Sequence, residues 1–202
     1  NMAQAIFKGI INSKKLKSHD IYLTNKSNEE ALKNFAEELG VEYSYDDEKL
    51  LQDADYVFLG SKPYDFEKVA QRIQPYINEN NRFISIMAGL PINYIQEQLQ
   101  VENPIARIMP NTNAQVGHSV TGISFSGNFG PKSKEEVNDL VNAFGSVIEV
   151  DEDHLHQVTA ITGSGPAFLY HVFEQYVKAG TDLGLEKDQV EESIKNLIIG
   201  TS

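Results

Sequence analysis

Two short segments hold residue types that could bind and orient a small anionic ligand: Arg107-Ile108-Met109-Pro110-Asn111-Thr112 and Thr162-Gly163-Ser164-Gly165-Pro166-Ala167. In the first, an apolar run ends at a proline and a small polar pair follows, so amide and hydroxyl groups emerge where a strand stops. In the second, Ser164 or Gly165 can cap a helix that carries Pro166 in its first turn. Free backbone N–H groups at such a helix start can hold a carboxylate or phosphate. As a bare pattern, Gly163-Ser164-Gly165-Pro166 is equally an ordinary turn between helices.

Three further loops follow β-rich runs. Thr24-Asn25-Lys26-Ser27 closes the run 20–24, where a dinucleotide domain specific for NAD usually places an Asp or Glu on the ribose hydroxyls. Donors and a cation stand there instead, which suits a 2′-phosphate. A plain Asx-type turn with Ser27 or Asn28 as N-cap fits the same residues. Ser61-Lys62-Pro63 follows the run 55–60. A lysine at a strand mouth can reach a cofactor phosphate or ribose, and Pro63 fixes the turn, although an exposed loop lysine is the commoner fate. Gly89 follows the run 82–88 and permits either close ligand approach or a tight turn.

Other chemistries find little support. His154 and His156 are two residues apart, so on a helix they face different ways and cannot chelate one metal. His19, His118 and His171 are isolated, and no Ser-His-Asp set has workable spacing. Cys is absent, which removes disulfides and thiolate metal sites, and no metal is expected. A formal charge of -12 argues against nucleic acid as partner. No run approaches the ~20 apolar residues that would span a bilayer. The first residues carry neither a basic region nor an apolar signal core. A cytoplasmic location is the expectation.

The elements that must position these loops alternate. Helical periodicity is read over 2–15, with Asn1 as a possible cap, then over 28–39 with Gly40 as the stop, and over 65–78, 92–99 and 133–144. Strands are read at 20–24, 41–43, 55–60, 82–88, 105–109, 119–125 and 147–150. The continuous apolar run 55–60 suggests burial on both faces. Such alternation with short links predicts a doubly wound α/β domain over 1–150. From 151 to 202 only helix is read: 153–160, 166–183 and 187 onward.

Taken in order, Asn1-Met2-Ala3-Gln4-Ala5-Ile6, Lys62-Pro63, Ser85-Ile86-Met87-Ala88-Gly89, Arg107–Thr112 and Gly163–Ala167 resemble the pyrroline-5-carboxylate reductase family across essentially the whole chain. The Arg107–Thr112 and Thr162–Ala167 segments together are quite specific to it. The resemblance implies a Rossmann-like NADP-binding domain followed by an all-helical dimerisation domain, the latter partly present. It implies reduction of 1-pyrroline-5-carboxylate to L-proline by hydride transfer from NADPH, with NADP(H) ahead of NAD(H), in a homodimer or larger homo-oligomer.

The same resemblance assigns roles. Asn1 and Met2 look like the end of the family's glycine-rich loop at the cofactor pyrophosphate. Asn25, Lys26 and Ser27 look like adenosine-phosphate contacts, and Asp47 falls where many relatives carry an Asn on the adenosine side. Gly60, Ser61, Lys62 and Pro63, with Ile86, Met87 and Ala88, look like walls along the nicotinamide half. Asn111, Ser164, Gly165 and Pro166 are candidates for the substrate loops. The first strand and its glycines would precede Asn1, and the family's Gly-Gly-x-Thr segment would lie beyond Ser202, so no catalytic residue is assigned. Two alternatives stand beside this reading. One is a related NADP-dependent imine or β-hydroxyacid reductase, for which Lys178 and Lys195 are the available lysines. The other is a non-catalytic nucleotide-sensing relative.

Overall fold

The computed structural model describes residues 2–201. The chain forms two compact units that divide between Gly163 and Ser164. The first opens with α1 (Met2–Asn12), whose Ala5, Ile6 and Ile10 make a buried stripe. β1 (Tyr22–Leu23) leads to α2 (Glu29–Leu39), where Asn28 accepts the Ala31 N–H as N-cap and Gly40 closes the helix in the left-handed region. β2 (Glu42–Tyr43) pairs with β1 in parallel. Then follow α3 (Asp47–Gln52), β3 (Tyr56–Leu59), α4 (Phe66–Ile73), β4 (Arg82–Ser85), α5 (Ile92–Leu99), β5 (Ile105–Met109), β6 (Ser119–Phe125), α6 (Pro131–Asn142), β7 (Gly145–Glu149) and α7 (Leu155–Val158).

The five-stranded sheet runs β3-β4-β5-β6-β7. β3, β4 and β5 are parallel, β6 is antiparallel to β5, and β7 is parallel to β6. The reversal has a simple cause. The link 110–118 is shorter than the dozen or so residues that a parallel crossover needs, so β6 can only return beside β5. α6 supplies the crossover to β7.

Period-two alternation sends side chains to two cores. Ile84, Ala106, Ile108 and Ile123 join Ile6, Ile10, Leu140 and Phe144 on the face of α1 and α6. Leu59, Phe83 and Ile105 join Phe66, Ile95 and Leu99 on the face of α4 and α5. The sheet is therefore a middle layer between helices, the α/β architecture expected.

Some local expectations are corrected. The helix read over 65–78 stops at Ile73 and gives way to a 3-10 turn, Gln74–Tyr76, because Pro75 cannot donate to the helical ladder. The run 55–60 is not buried on both faces: Tyr56, Val57 and Phe58 are half-buried, since β3 pairs with β4 alone. The helix read over 153–160 is composite, with a 3-10 turn at Glu152–His154, then α7, then a single π turn at Thr159–Gly163. Residues 152–163 pack within the first compact unit.

The second unit holds α8 (Gly165–Asp182) and α9 (Lys187–Thr201). They touch where Gly180 meets Val190, and a Cβ at Gly180 would lie 2.5 Å from Val190 Cγ2. No helix among the described residues is long and apolar enough to cross a membrane.

Candidate functional site

Loops after the C-terminal ends of parallel strands are where open α/β sheets bind ligands. After β1, the Asn25 side chain is held on both sides. Its Nδ2 donates to the Asn28 carbonyl at 2.6 Å and its Oδ1 accepts the Tyr45 hydroxyl at 2.6 Å. Desolvation and then the charge of Glu29 raise the Tyr45 pKa above its ordinary value. Lys26 reaches across to Asp65 at 3.0 Å while its side chain remains 74% exposed. Ser27 is exposed. The loop after β1 is thereby tied to the one after β3, and 24–28 contains no carboxylate.

Asp47 is engaged elsewhere, with its Oδ2 2.9 Å from Arg72 Nε. Its pKa is nonetheless raised, because burial outweighs the attraction of Arg72.

The loops after β3 and β4 lie side by side. Ser61 Oγ donates to Met87 Sδ at 3.3 Å, and a Cβ on Gly60 would meet Ile86 Cδ1 at 3.3 Å and Ala3 Cβ at 3.9 Å. Ala3 sits in the first turn of α1, so the start of that helix adjoins the Gly60 loop. Lys62 and Pro63 are exposed and open a 3-10 turn, Pro63–Asp65. Met2 and Ile86 are half-buried and Ala88 is exposed. Met87 is 1% exposed and belongs to the core beneath α4 and α5, which leaves only its backbone to face a ligand. Asn1 lies outside the described residues.

After β5, Asn111 is buried and its Nδ2 donates to the Thr162 carbonyl at 2.9 Å. The two segments richest in chemistry by sequence therefore meet. A second link runs through Arg107, 3% exposed, whose Nη1 lies 3.0 Å from Glu152 Oε1. The same oxygen accepts the Ile92 N–H at the start of α5 at 2.8 Å. Sequence reasoning missed Glu152, Asp65 and Tyr45, since nothing in spacing joins residues that far apart. Ser164, Gly165 and Pro166 open the second unit. Ser164 stands at the N-cap without a side-chain bond, and a Cβ on Gly165 would meet nothing within 4 Å.

These residues fit a dinucleotide carrying a 2′-phosphate. They offer an exposed lysine, paired with Asp65, beside amide and hydroxyl donors after β1, a bare glycine beside a helix start, and no carboxylate within 24–28. A separate open cleft of about 720 Å³ lies between α5 and the ends of β6 and β7, lined by Asn93, Lys134, Glu149 and His154 among others. It shares Ile92 and Glu152 with the Arg107 link but none of the loops after β1, β3 and β4. Lys178 and Lys195 are exposed and engaged with Asp182 and Glu192. Among the described residues no cluster of His, Asp or Glu could hold a metal ion.

A sheet between helix layers, with such loops at the ends of its parallel strands, defines a dinucleotide-binding α/β protein. Residues 1–89 match the family described as NADP oxidoreductase, coenzyme F420-dependent, and residues 152–202 match pyrroline-5-carboxylate reductase dimerisation. The pyrroline-5-carboxylate reductase of Staphylococcus aureus strain COL is 79% identical over all 202 residues, which span 74% of that relative. That of Staphylococcus epidermidis strain RP62A has the same identity and coverage. Among solved structures, the Coxiella burnetii pyrroline-5-carboxylate reductase superposes with TM-score 0.91 at 29% identity, over 98% of this chain and 74% of that one. The Plasmodium falciparum pyrroline carboxylate reductase, with NADP bound, gives 0.83 at 29% identity, over 98% and 72%. The chain belongs to the pyrroline-5-carboxylate reductase family.

Proposed function

We propose that this protein reduces 1-pyrroline-5-carboxylate to L-proline with NADPH. The observation that carries the reading is identity of 79% along the whole chain to enzymes named for this reaction. Bound NADPH supplies the hydride. The imine carbon of the substrate is already electrophilic, more so once its nitrogen is protonated, so the protein has to bind, orient and exclude water.

Asn25, Lys26 and Ser27 hold the 2′-phosphate, and Asp47 borders the adenosine side. Asn1 and Met2 border the pyrophosphate, where the start of α1 favours an anion. Gly60 to Pro63 and Ile86 to Ala88 line the nicotinamide half, Met87 by its backbone. Ser164, Gly165 and Pro166 form the substrate side, and the loop of Asn111 supports it. The exposed state of Lys26 and the absence of a carboxylate in its loop support the preference for NADPH. The missing side chain of Gly60 beside Ala3 supports close backbone approach.

The protein works as a homodimer or larger homo-oligomer through residues 151–202, with 1–150 as the cofactor domain. The match of 152–202 to a dimerisation family and the exposed apolar side chains of α8 support this division. It needs neither nucleic acid nor membrane and acts in the cytoplasm, in keeping with a Cys-free chain of charge -12. The test is oxidation of NADPH by the protein with and without 1-pyrroline-5-carboxylate, with L-proline identified as product. Substrate-independent oxidation, or none, would sink the reading.

A further inference from the structure

Asn111 is 5% exposed, and its recorded hydrogen bonds all point inward. Nδ2 donates to the Thr162 carbonyl at 2.9 Å, and Oδ1 accepts the Asn113 N–H at 3.1 Å. Its backbone N–H donates to Ser119 Oγ at 3.1 Å, and that hydroxyl lies 3.0 Å from Thr121 Oγ1. A chain of buried polar groups thus runs from β6 through Asn111 to the turn Thr159–Gly163. Buried groups so connected fix a geometry strongly, because each loses its partner if the other moves.

The turn itself is unusual. It is a π turn in which Thr159 Oγ1 donates to the Leu155 carbonyl at 2.6 Å and Thr162 Oγ1 to the Val158 carbonyl at 2.9 Å. Hydroxyls therefore share carbonyls that helix N–H groups would otherwise have to themselves. A π turn is rare and tends to occur at functional sites. It is kept here from two sides. Just before it, α7 packs on Gly122 of β6, where a Cβ would lie 2.9 Å from Leu155 Cδ1 and 3.0 Å from Val158 Cγ1. At its far end, the Thr162 carbonyl is held by Asn111.

We propose that Asn111 is a positioning residue for turnover. It fixes the π turn and thereby the point from which Gly163-Ser164-Gly165-Pro166 leaves the first unit, without itself touching substrate. The inference rests on the reductase reading and deepens it. Hydride transfer demands that the reacting carbons be held to a fraction of an ångström. A loosened turn should then slow turnover while the cofactor loops after β1 and β3, on other elements, keep their affinity.

The experiment compares Asn111→Ala and Asn111→Asp with the unaltered protein in three measurements. These are steady-state kinetics in 1-pyrroline-5-carboxylate, NADPH affinity by fluorescence titration, and amide hydrogen exchange along the chain. Asp keeps the acceptor for Asn113 but sets an oxygen against the Thr162 carbonyl. Both variants should lower kcat by about tenfold, the scale of one buried hydrogen bond, with NADPH affinity changed less than about twofold. Amides of 159–163 should exchange about tenfold faster while those of β4 and β5 do not change. If both variants fail to fold, Ser119→Ala removes the anchor of the Asn111 backbone, along with the contact to Thr121 Oγ1, and should move the same readouts in the same direction.

Unchanged exchange at 159–163 would show that Asn111 does not hold the turn. Faster exchange with unchanged kcat would uncouple the turn from turnover. A loss of NADPH affinity as large as the loss of kcat would reassign Asn111 to the cofactor or to general stability. If the unaltered protein does not oxidise NADPH with this substrate, the reductase reading fails. The exchange data alone then still decide whether Asn111 holds the turn.

Discussion

Residues up to Gly163 close their own core: Phe66, Phe83, Phe144 and Ile95 have no exposed surface. Beyond Gly163, Phe168, Leu169, Tyr176, Leu183, Leu197 and Ile199 stand at 54% to 84% exposure, and the buried residues among those described there are Pro166 and Val190. At roughly 25 cal/mol per Å² of apolar surface, the first arrangement stabilises itself and the second leaves most of that gain unrealised. The polar groups differ in the same sense. The first unit buries Arg107 and Asn111 with partners, while the ion pairs of α8 and α9 are exposed side chains one helical turn apart and contribute little. The first unit is a self-contained layer of sheet and helices; the second is a helical hairpin whose apolar faces call for a cover, here proposed to be a second copy of the chain.

The largest expected effect would break the first half of this contrast. Gly145 pairs with Ser119, and a Cβ on it would fall on the Ser119 carbonyl oxygen and backbone nitrogen. Backbone cannot yield as a flexible side chain does. Gly145→Ala should cost more than about 3 kcal/mol, read by urea unfolding. A stable Gly145→Ala protein would show that β6 and β7 can separate freely.

The second half is tested on α8. Leu169→Glu should leave the far-UV circular dichroism of the first unit intact and shift the mass found by light scattering toward monomer, a loss of about 2 kcal/mol or more at a buried interface. Unchanged mass would remove that face from the interface.

Gly165→Val probes the start of the same helix. Open space around a Cβ at Gly165 means that folding should be nearly unaffected. Turnover should fall by about tenfold or more if ligand approaches that backbone closely. Near-normal activity would return the segment to an ordinary turn.

Lys26→Ala should weaken NADPH about tenfold and leave NADH nearly unchanged, since one charge-assisted contact is lost. Equal or tighter NADH binding by the unaltered protein would overturn the preference.

The smallest effect concerns Tyr56, whose hydroxyl donates to Glu136. Burial first, and then that hydrogen bond, push its pKa up to about 12 from 10.0. Because the folded value is the higher, the contribution is fully present below about pH 10 and is lost as pH rises toward 12. Tyr56→Phe should cost about 1 kcal/mol near neutral pH, and the difference from the unaltered protein should shrink in alkali. A constant difference across that range would remove Tyr56 ionisation from the stability of the sheet edge.

Much of this was legible in residue order alone. β5, β6 and α5 begin and end where periodicity puts them, and Asn28 and Gly40 bound α2. These features depend on neighbours a few residues apart, where dihedral preference, capping and alternation act, and the chain states them directly. What lay outside it depends on distance in space. The turn of β6 against β5, the half-exposed β3, the ties Lys26–Asp65 and Asp47–Arg72, and the burial of Met87 follow from which elements become neighbours. So do the buried contacts of Arg107 with Glu152 and of Asn111 with Thr162, whose cost or benefit exists only once water has been excluded around both partners. The sequence determined the class of fold and the loops proposed to face a ligand. Only the tertiary structure decided which of their polar side chains stay free to meet it and which are held by the protein itself, because burial and partnership are properties of the packed chain.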